Sequence, residues 1–123
     1  MKILIKITKE ILESSKMCED NRGQNCAIGK AVADLFGVIS WVTTNRIEFY
    51  EKINTLSFIT ATPLPDVAKQ FIHDFDKKTP EERVKMTPIS FEVEVPEKII
   101  DMIGISHAYK VLSESKSLEL VNI

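Results

Sequence analysis

The sequence predicts an α+β domain, with helices packed on one face of a small antiparallel or mixed sheet of about four strands. Two segments, KILIKIT (2–8) and ISFEVEV (89–95), alternate apolar and polar side chains with the two-residue period of a half-buried strand. A third segment, LPDVAKQFIHDFD (64–76), places its apolar residues on a single helical face. A chain of 123 residues fits one domain, predicted here as 1–123.

The first half of the chain begins with the strand at 2–8, where Ile3, Ile5 and Ile7 are expected to point inward. Thr8 is a suitable N-cap for a short helix over 9–17. After a polar loop, a second helix is predicted over 26–36.

A hairpin is predicted next, because VISWV (38–42) and RIEFY (46–50) flank a short polar turn. The alternation in RIEFY places Ile47 and Phe49 on one side, and Arg46, Glu48 and Tyr50 on the other. A third strand over 55–61 is also predicted. Its alternation groups Leu56, Phe58 and Thr60 on one face.

In the second half, the helix at 65–78 is followed by a short helix, in which Thr79 and Glu82 occupy capping-box positions. Two further helical segments surround Gly104, and residues 104–123 are expected to add a C-terminal helix and a tail to the core. Helical crossovers between predicted strands make a split βαβ arrangement one candidate topology.

Charge and composition narrow the classes of function. Sixteen basic residues face eighteen acidic ones, for a net charge of −2, so no field favours nucleic acid or an anionic membrane. Lys6 and Lys9 interrupt the apolar N-terminal segment before it reaches the length of an export signal. We therefore expect a cytoplasmic protein with reduced cysteines and no membrane partner. Glycine-rich phosphate loops and nucleophile elbows are lacking, so no cofactor is predicted.

Cys26 is the best single candidate for reactivity. It lies at the start of the predicted second helix, next to Asn25 as the N-cap and one turn before Lys30, and this setting lowers the pKa of a thiol. The alternative is a small buried side chain, since free cysteine is among the most buried residue types. A metal site would need Cys18, Cys26, His73 and His107 as ligands. Their spacing is unlike that of structural zinc sites, so no metal site is predicted.

Acidic residues cluster at the end of the predicted helix at 65–78 and in the short helix after it. The acidic cluster Asp74, Asp76, Glu81 and Glu82 alternates with lysines and is typical of a solvated surface.

The exposed aromatic residues offer the remaining hypotheses. An apolar patch formed by Trp41, Phe58 and Tyr109 would make the chain a non-enzymatic protein-interaction or regulatory module, binding another protein or a second copy of itself. A thiol or redox protein using Cys26 is the first alternative. An aromatic sheet face that binds single-stranded nucleic acid is the second.

Four segments together resemble a known group of sequences: ITKEILESSKMC, NCAIGKAVADLFG, LPDVAKQFIHDFD and PISFEVEVPEKII. They are similar to a family of small hypothetical proteins of Bacteroidetes-type bacteria, phages and mobile elements. The resemblance covers roughly residues 5 to 103. It implies a shared fold and a bacterial or mobile-element origin, and it implies no activity.

Overall fold

The computed structural model describes residues 1–15, 27–32, 39–50, 58–115 and 117–121. The elements within these ranges, in chain order, are β1 (Lys2–Ile7), α1 (Lys9–Ser14), α2 (Ala27–Val32), β2 (Ile39–Val42), β3 (Arg46–Tyr50), β4 (Phe58–Pro63), α3 (Asp66–Lys77), α4 (Pro80–Val84), β5 (Ile89–Glu94), α5 (Glu97–Ile103), α6 (Ile105–Glu114) and β6 (Leu118–Leu120). Helices and antiparallel strands are thus mixed along the chain, and the predicted α+β class is confirmed.

The strands form two three-stranded antiparallel sheets, ordered β5-β1-β6 and β2-β3-β4. The expectation of one sheet of about four strands is therefore wrong. The hairpin cannot join the sheet of β1 because β1 is already paired on both edges. Ile5 lies opposite Phe91 of β5 on one edge and opposite Leu118 of β6 on the other. Neither edge of β1 is left for the hairpin, which pairs with β4 instead.

The first sheet contains a split βαβ unit. Both β5 and β6 run antiparallel to β1, so they are parallel to each other, and β1 lies between them. The connection from β5 to β6 consists of α5 and α6. The candidate topology is therefore present, although it is built from the last strands of the chain and not from the hairpin.

One apolar core joins the two sheets. The inward residues of β1 are Ile3, Ile5 and Ile7, and all three are buried, as predicted. Ile47 and Phe49 of β3 belong to the same cluster of buried side chains. The opposite residues of β1 and β5 are more exposed, and all of them except Leu4 are polar, so this sheet has one buried face.

Several helix ends are fixed by the contacts that the sequence predicts. The Thr8 Oγ1 accepts a hydrogen bond from the Ile11 N–H at 3.3 Å. In the capping box of α4, the Glu82 N–H donates to Thr79 Oγ1 at 3.3 Å, and the Thr79 N–H donates to Glu82 Oε1 at 2.9 Å. Among the described helices, none is long and apolar enough to cross a membrane.

Gly104 separates α5 from α6, and among the described glycines it is the one with a positive φ. Its φ of 80° and ψ of 146° lie near a region that essentially only glycine adopts. Its N–H donates to the Ile100 carbonyl at 2.7 Å, and its own carbonyl accepts from the Ala108 N–H at 3.2 Å. The residue thus ends one helix and begins the next.

Candidate functional site

The outward face of the second sheet carries three aromatic rings. The strand register places Trp41 opposite Glu48, and Tyr50 opposite Phe58. The Trp41 and Tyr50 ring centroids are 4.7 Å apart, and those of Tyr50 and Phe58 are 5.7 Å apart. We call this surface the aromatic face, defined by Trp41, Arg46, Glu48, Tyr50 and Phe58.

A β-bulge brings Phe58 to the aromatic face. Thr60 pairs with Phe49, but the next pair joins Phe58 to Tyr50, so Ile59 is an extra residue in β4. Because a bulge reverses the alternation on one strand, Phe58 and Thr60 point to opposite sides. The expectation that these two residues share a face is therefore wrong. Phe58 is 53% exposed, whereas Thr62 of the same strand is buried.

Polar groups at the centre of the aromatic face bind one another. Arg46 donates from Nε and Nη2 to Glu48 Oε2, at 2.9 and 2.6 Å. The Tyr50 hydroxyl donates to Glu48 Oε1 at 2.8 Å. The Arg46 guanidinium also lies 5.8 Å from the Phe58 ring centroid, within the range of a weak cation–π contact.

This network shifts two ionisations. The hydrogen bond from Tyr50, together with the Arg46 hydrogen bond and charge, lowers the pKa of Glu48 against the opposing effect of partial burial. The same hydrogen bond, together with desolvation and the Glu48 charge, raises the pKa of Tyr50. At neutral pH the face therefore carries a charged carboxylate, a charged guanidinium and a neutral phenol.

Tyr109 belongs to a helix, whereas Trp41 and Phe58 belong to strands of the second sheet. It belongs to α6, which packs against α5 and β6 of the first sheet. Its exposed apolar neighbours in sequence are Met102 and Ile105. Among the described residues, no ring contact joins Tyr109 to the aromatic face, and the three-residue patch stays a prediction.

The residues of the thiol hypothesis lie outside the described ranges. These are Cys18, Asn25 and Cys26, and the side chain of Lys30 is likewise not described. The thiol alternative therefore stays a prediction. Within the described part of the chain, no group of three or more His, Cys, Asp or Glu residues is placed to hold a metal ion.

A groove between α3, α4 and the start of β5 is a further candidate surface, which sequence reasoning missed. Its volume is about 720 Å³, and its apolar lining comes from Val67, Phe71, Met86 and Ile89. Val67 belongs to the predicted apolar face of α3, yet it is 48% exposed and opens into this groove. Val67 lies at the edge of the apolar face of α3. An apolar residue at such an edge is the sequence feature that could have indicated the groove.

The polar lining of the groove is balanced in charge. Lys78 and Lys85 lie in it together with Asp74 and Glu82. The Glu82 carboxylate accepts the Thr79 N–H, and Asp74 Oδ1 accepts from the Gln70 amide at 3.0 Å. These charges select neither a cation nor an anion, so the groove identifies no class of ligand.

The protein was compared with known proteins in three ways. A scan against protein-family models, a search of the curated proteins and a search of the solved structures each found no match. The family resemblance of the four segments named above accordingly stays a prediction.

Proposed function

We propose that this chain is a non-enzymatic protein-interaction domain whose aromatic face receives an apolar segment of a partner protein. The observation that carries the proposal is the position of Phe58, a large ring that is 53% exposed and continuous with Tyr50 and Trp41. Protein interfaces are enriched in such aromatic residues at their centres, and clusters of this kind dominate binding energy.

The charges on the aromatic face favour a protein partner over a nucleic acid. Arg46 is the cation of this face, and its Nε and Nη2 both donate hydrogen bonds to Glu48. A phosphate would have to compete with that carboxylate, which also repels it. The net charge of −2 adds no attraction for a polyanion.

The test is a random-peptide display selection on the wild-type protein, followed by rebinding to two variants. Phe58→Ala removes a ring from the aromatic face, and Tyr109→Ala removes a ring of similar exposure from α6. We expect selected peptides to lose about tenfold or more in affinity for Phe58→Ala, as for a central aromatic anchor, and to bind Tyr109→Ala as they bind wild type.

Two outcomes would contradict the proposal. One is a selection that enriches no peptide sensitive to Phe58→Ala. The other is salt-dependent binding of single-stranded oligonucleotides that Phe58→Ala abolishes, because this would assign the same face to nucleic acid. Light scattering on wild type and Phe58→Ala decides whether the partner is a second copy of the chain.

A further inference from the structure

Arg46 lies next to the most exposed ring of the aromatic face. Its side chain is 51% exposed, and its guanidinium lies 5.8 Å from the Phe58 ring centroid. The Tyr50 ring centroid lies 5.7 Å from the same ring. The exposed Phe58 ring is therefore bordered by a phenol ring and by a guanidinium.

One edge of the Arg46 guanidinium is held by Glu48. Nε and Nη2 both donate to Glu48 Oε2, at 2.9 and 2.6 Å. A guanidinium is planar and carries donors on all of its nitrogens, so this arrangement directs the Nη1 donors away from the carboxylate. Among the described residues, the guanidinium has no hydrogen-bond acceptor other than Glu48. Arg46 therefore has donors that are available to a ligand.

Glu48 fixes the orientation of those donors. Its side chain is 13% exposed, and in the strand register it lies between Trp41 on β2 and Ala61 on β4. The Tyr50 hydroxyl donates to Oε1 at 2.8 Å, so both carboxylate oxygens have partners. A donor that is already oriented loses less conformational entropy on binding than a mobile one. Arg46 is thus preorganised although half of its side chain is exposed.

The charge pair determines which kind of acceptor suits Arg46. The Glu48 carboxylate neutralises the guanidinium charge and repels an anion that approaches it. A neutral acceptor avoids this repulsion, and every residue of a protein segment carries one in its main-chain carbonyl. An extended segment advances about 3.3 Å per residue, so about two residues span the 5.8 Å between the guanidinium and the Phe58 ring centroid.

We infer that Arg46 determines the specificity of the aromatic face by donating a hydrogen bond from Nη1 to a main-chain carbonyl of the partner segment, while a neighbouring apolar side chain of that segment packs on Phe58. Glu48 is a positioning residue, which acts on the partner through Arg46. This inference rests on the proposed function, because it names the chemistry by which the same face recognises its partner. The partner is a segment with an apolar anchor and no acidic residue beside it.

The experiment uses a peptide from the display selection that depends on Phe58, and measures binding by the fluorescence anisotropy of the labelled peptide. Arg46→Met keeps the apolar stem and removes the donors, so we expect about tenfold weaker binding, as for the loss of a hydrogen bond from a charged group. Arg46→Lys keeps the charge but lacks the planar fork, so it should also bind more weakly. Lys98→Met removes a positive charge from an exposed position of α5 and should bind as wild type does.

A double-mutant cycle tests the positioning role of Glu48. In the wild-type background, Glu48→Gln should weaken binding severalfold, because Arg46 loses its fixed orientation. In the Arg46→Met background, the same substitution should have no further effect, since Glu48 acts through Arg46. A loss of equal size in both backgrounds would overturn the positioning role.

The carbonyl is tested on the peptide. Its main-chain amides are replaced one at a time by an alkene, which lacks the acceptor. At one position, close to the apolar anchor, this replacement should weaken binding to wild type about tenfold and leave binding to Arg46→Met unchanged. If no position behaves in this way, the main-chain acceptor is rejected.

Equal binding to wild type and to the Arg46 variants overturns the inference, as does enrichment of peptides with Asp or Glu beside the apolar anchor. Circular dichroism checks that each variant folds, and Arg46→Lys decides the question if Arg46→Met does not fold. If the selected peptides depend on Phe58 but not on Arg46, the proposed function stands and this inference alone is rejected. If no selected peptide depends on Phe58, both fail.

Discussion

Replacing Gly104 by alanine tests the claim that backbone conformation separates α5 from α6. An added Cβ would meet no atom within 4 Å, so the substitution introduces no clash. The cost is the unfavourable φ of 80° alone, and residues held in such regions cost about 1–3 kcal/mol. Restriction of the unfolded chain returns about 0.4–1 kcal/mol. We therefore expect Gly104→Ala to lower the free energy of unfolding by about 1–2 kcal/mol.

Urea denaturation followed by circular dichroism measures this difference. With a denaturant dependence of about 2 kcal/mol per molar urea, the midpoint should fall by roughly 0.5–1 M. Ser106→Ala, at an exposed position two residues later, is the matched control and should stay within about 0.5 kcal/mol of wild type. A Gly104→Ala protein that unfolds at the wild-type urea midpoint would refute the reasoning. Such a result would mean that alanine adopts the positive φ at this position without a cost in free energy.

Three further predictions concern polar side chains. Because the pKa of Glu48 is lowered in the folded state, its ionisation stabilises the fold at pH values above its ordinary pKa of 4.5. This contribution should be lost as the pH falls through the lower folded pKa. In urea denaturation at several pH values, Glu48→Gln should therefore lose less stability on acidification than wild type does. The raised pKa of Tyr50 should fall in the same variant, measured by tyrosinate absorbance in a Tyr109→Phe background that leaves Tyr50 as the single tyrosine; an unshifted titration would contradict the network. Arg83 lies 4.3 Å over the Phe75 ring and donates from Nε to the Phe75 carbonyl at 2.9 Å, so Arg83→Met should cost about 1–2 kcal/mol in thermal or urea unfolding, and an unchanged stability would show that these contacts are offset.

Local features of the fold were predictable because they depend on neighbouring residues. The capping box of Thr79 and Glu82 and the inward side of RIEFY follow from fixed spacings, and the structure shows both. Strand partners were not predictable in this way. Alternation in β1 shows which side is buried, but it holds no information on which strands lie beside it. The sheet order β5-β1-β6 therefore could not be derived from the sequence.

The arrangement of the aromatic face could be predicted only in part, because β4 contains one extra residue, Ile59. Trp41 and Phe58 were named as interaction residues, yet strict alternation in β4 grouped Phe58 with Thr60. The extra residue Ile59 reverses that grouping, because it shifts the register between Phe49 and Tyr50. Bulges of this kind depend on pairing with a partner strand, so a single strand read alone does not reveal them.

The position of β1 in the first sheet has a consequence for the order of folding. β1 pairs with strands from the distant end of the chain, whereas β2, β3 and β4 are consecutive. Closing long loops costs chain entropy before any contact is gained, so distant pairings form late. We expect β3 amides to become protected from hydrogen exchange before those of β1 during refolding, and simultaneous protection would contradict this order. During synthesis, β1 is made before both of its partners, so its sheet stays incomplete until β6 has been made.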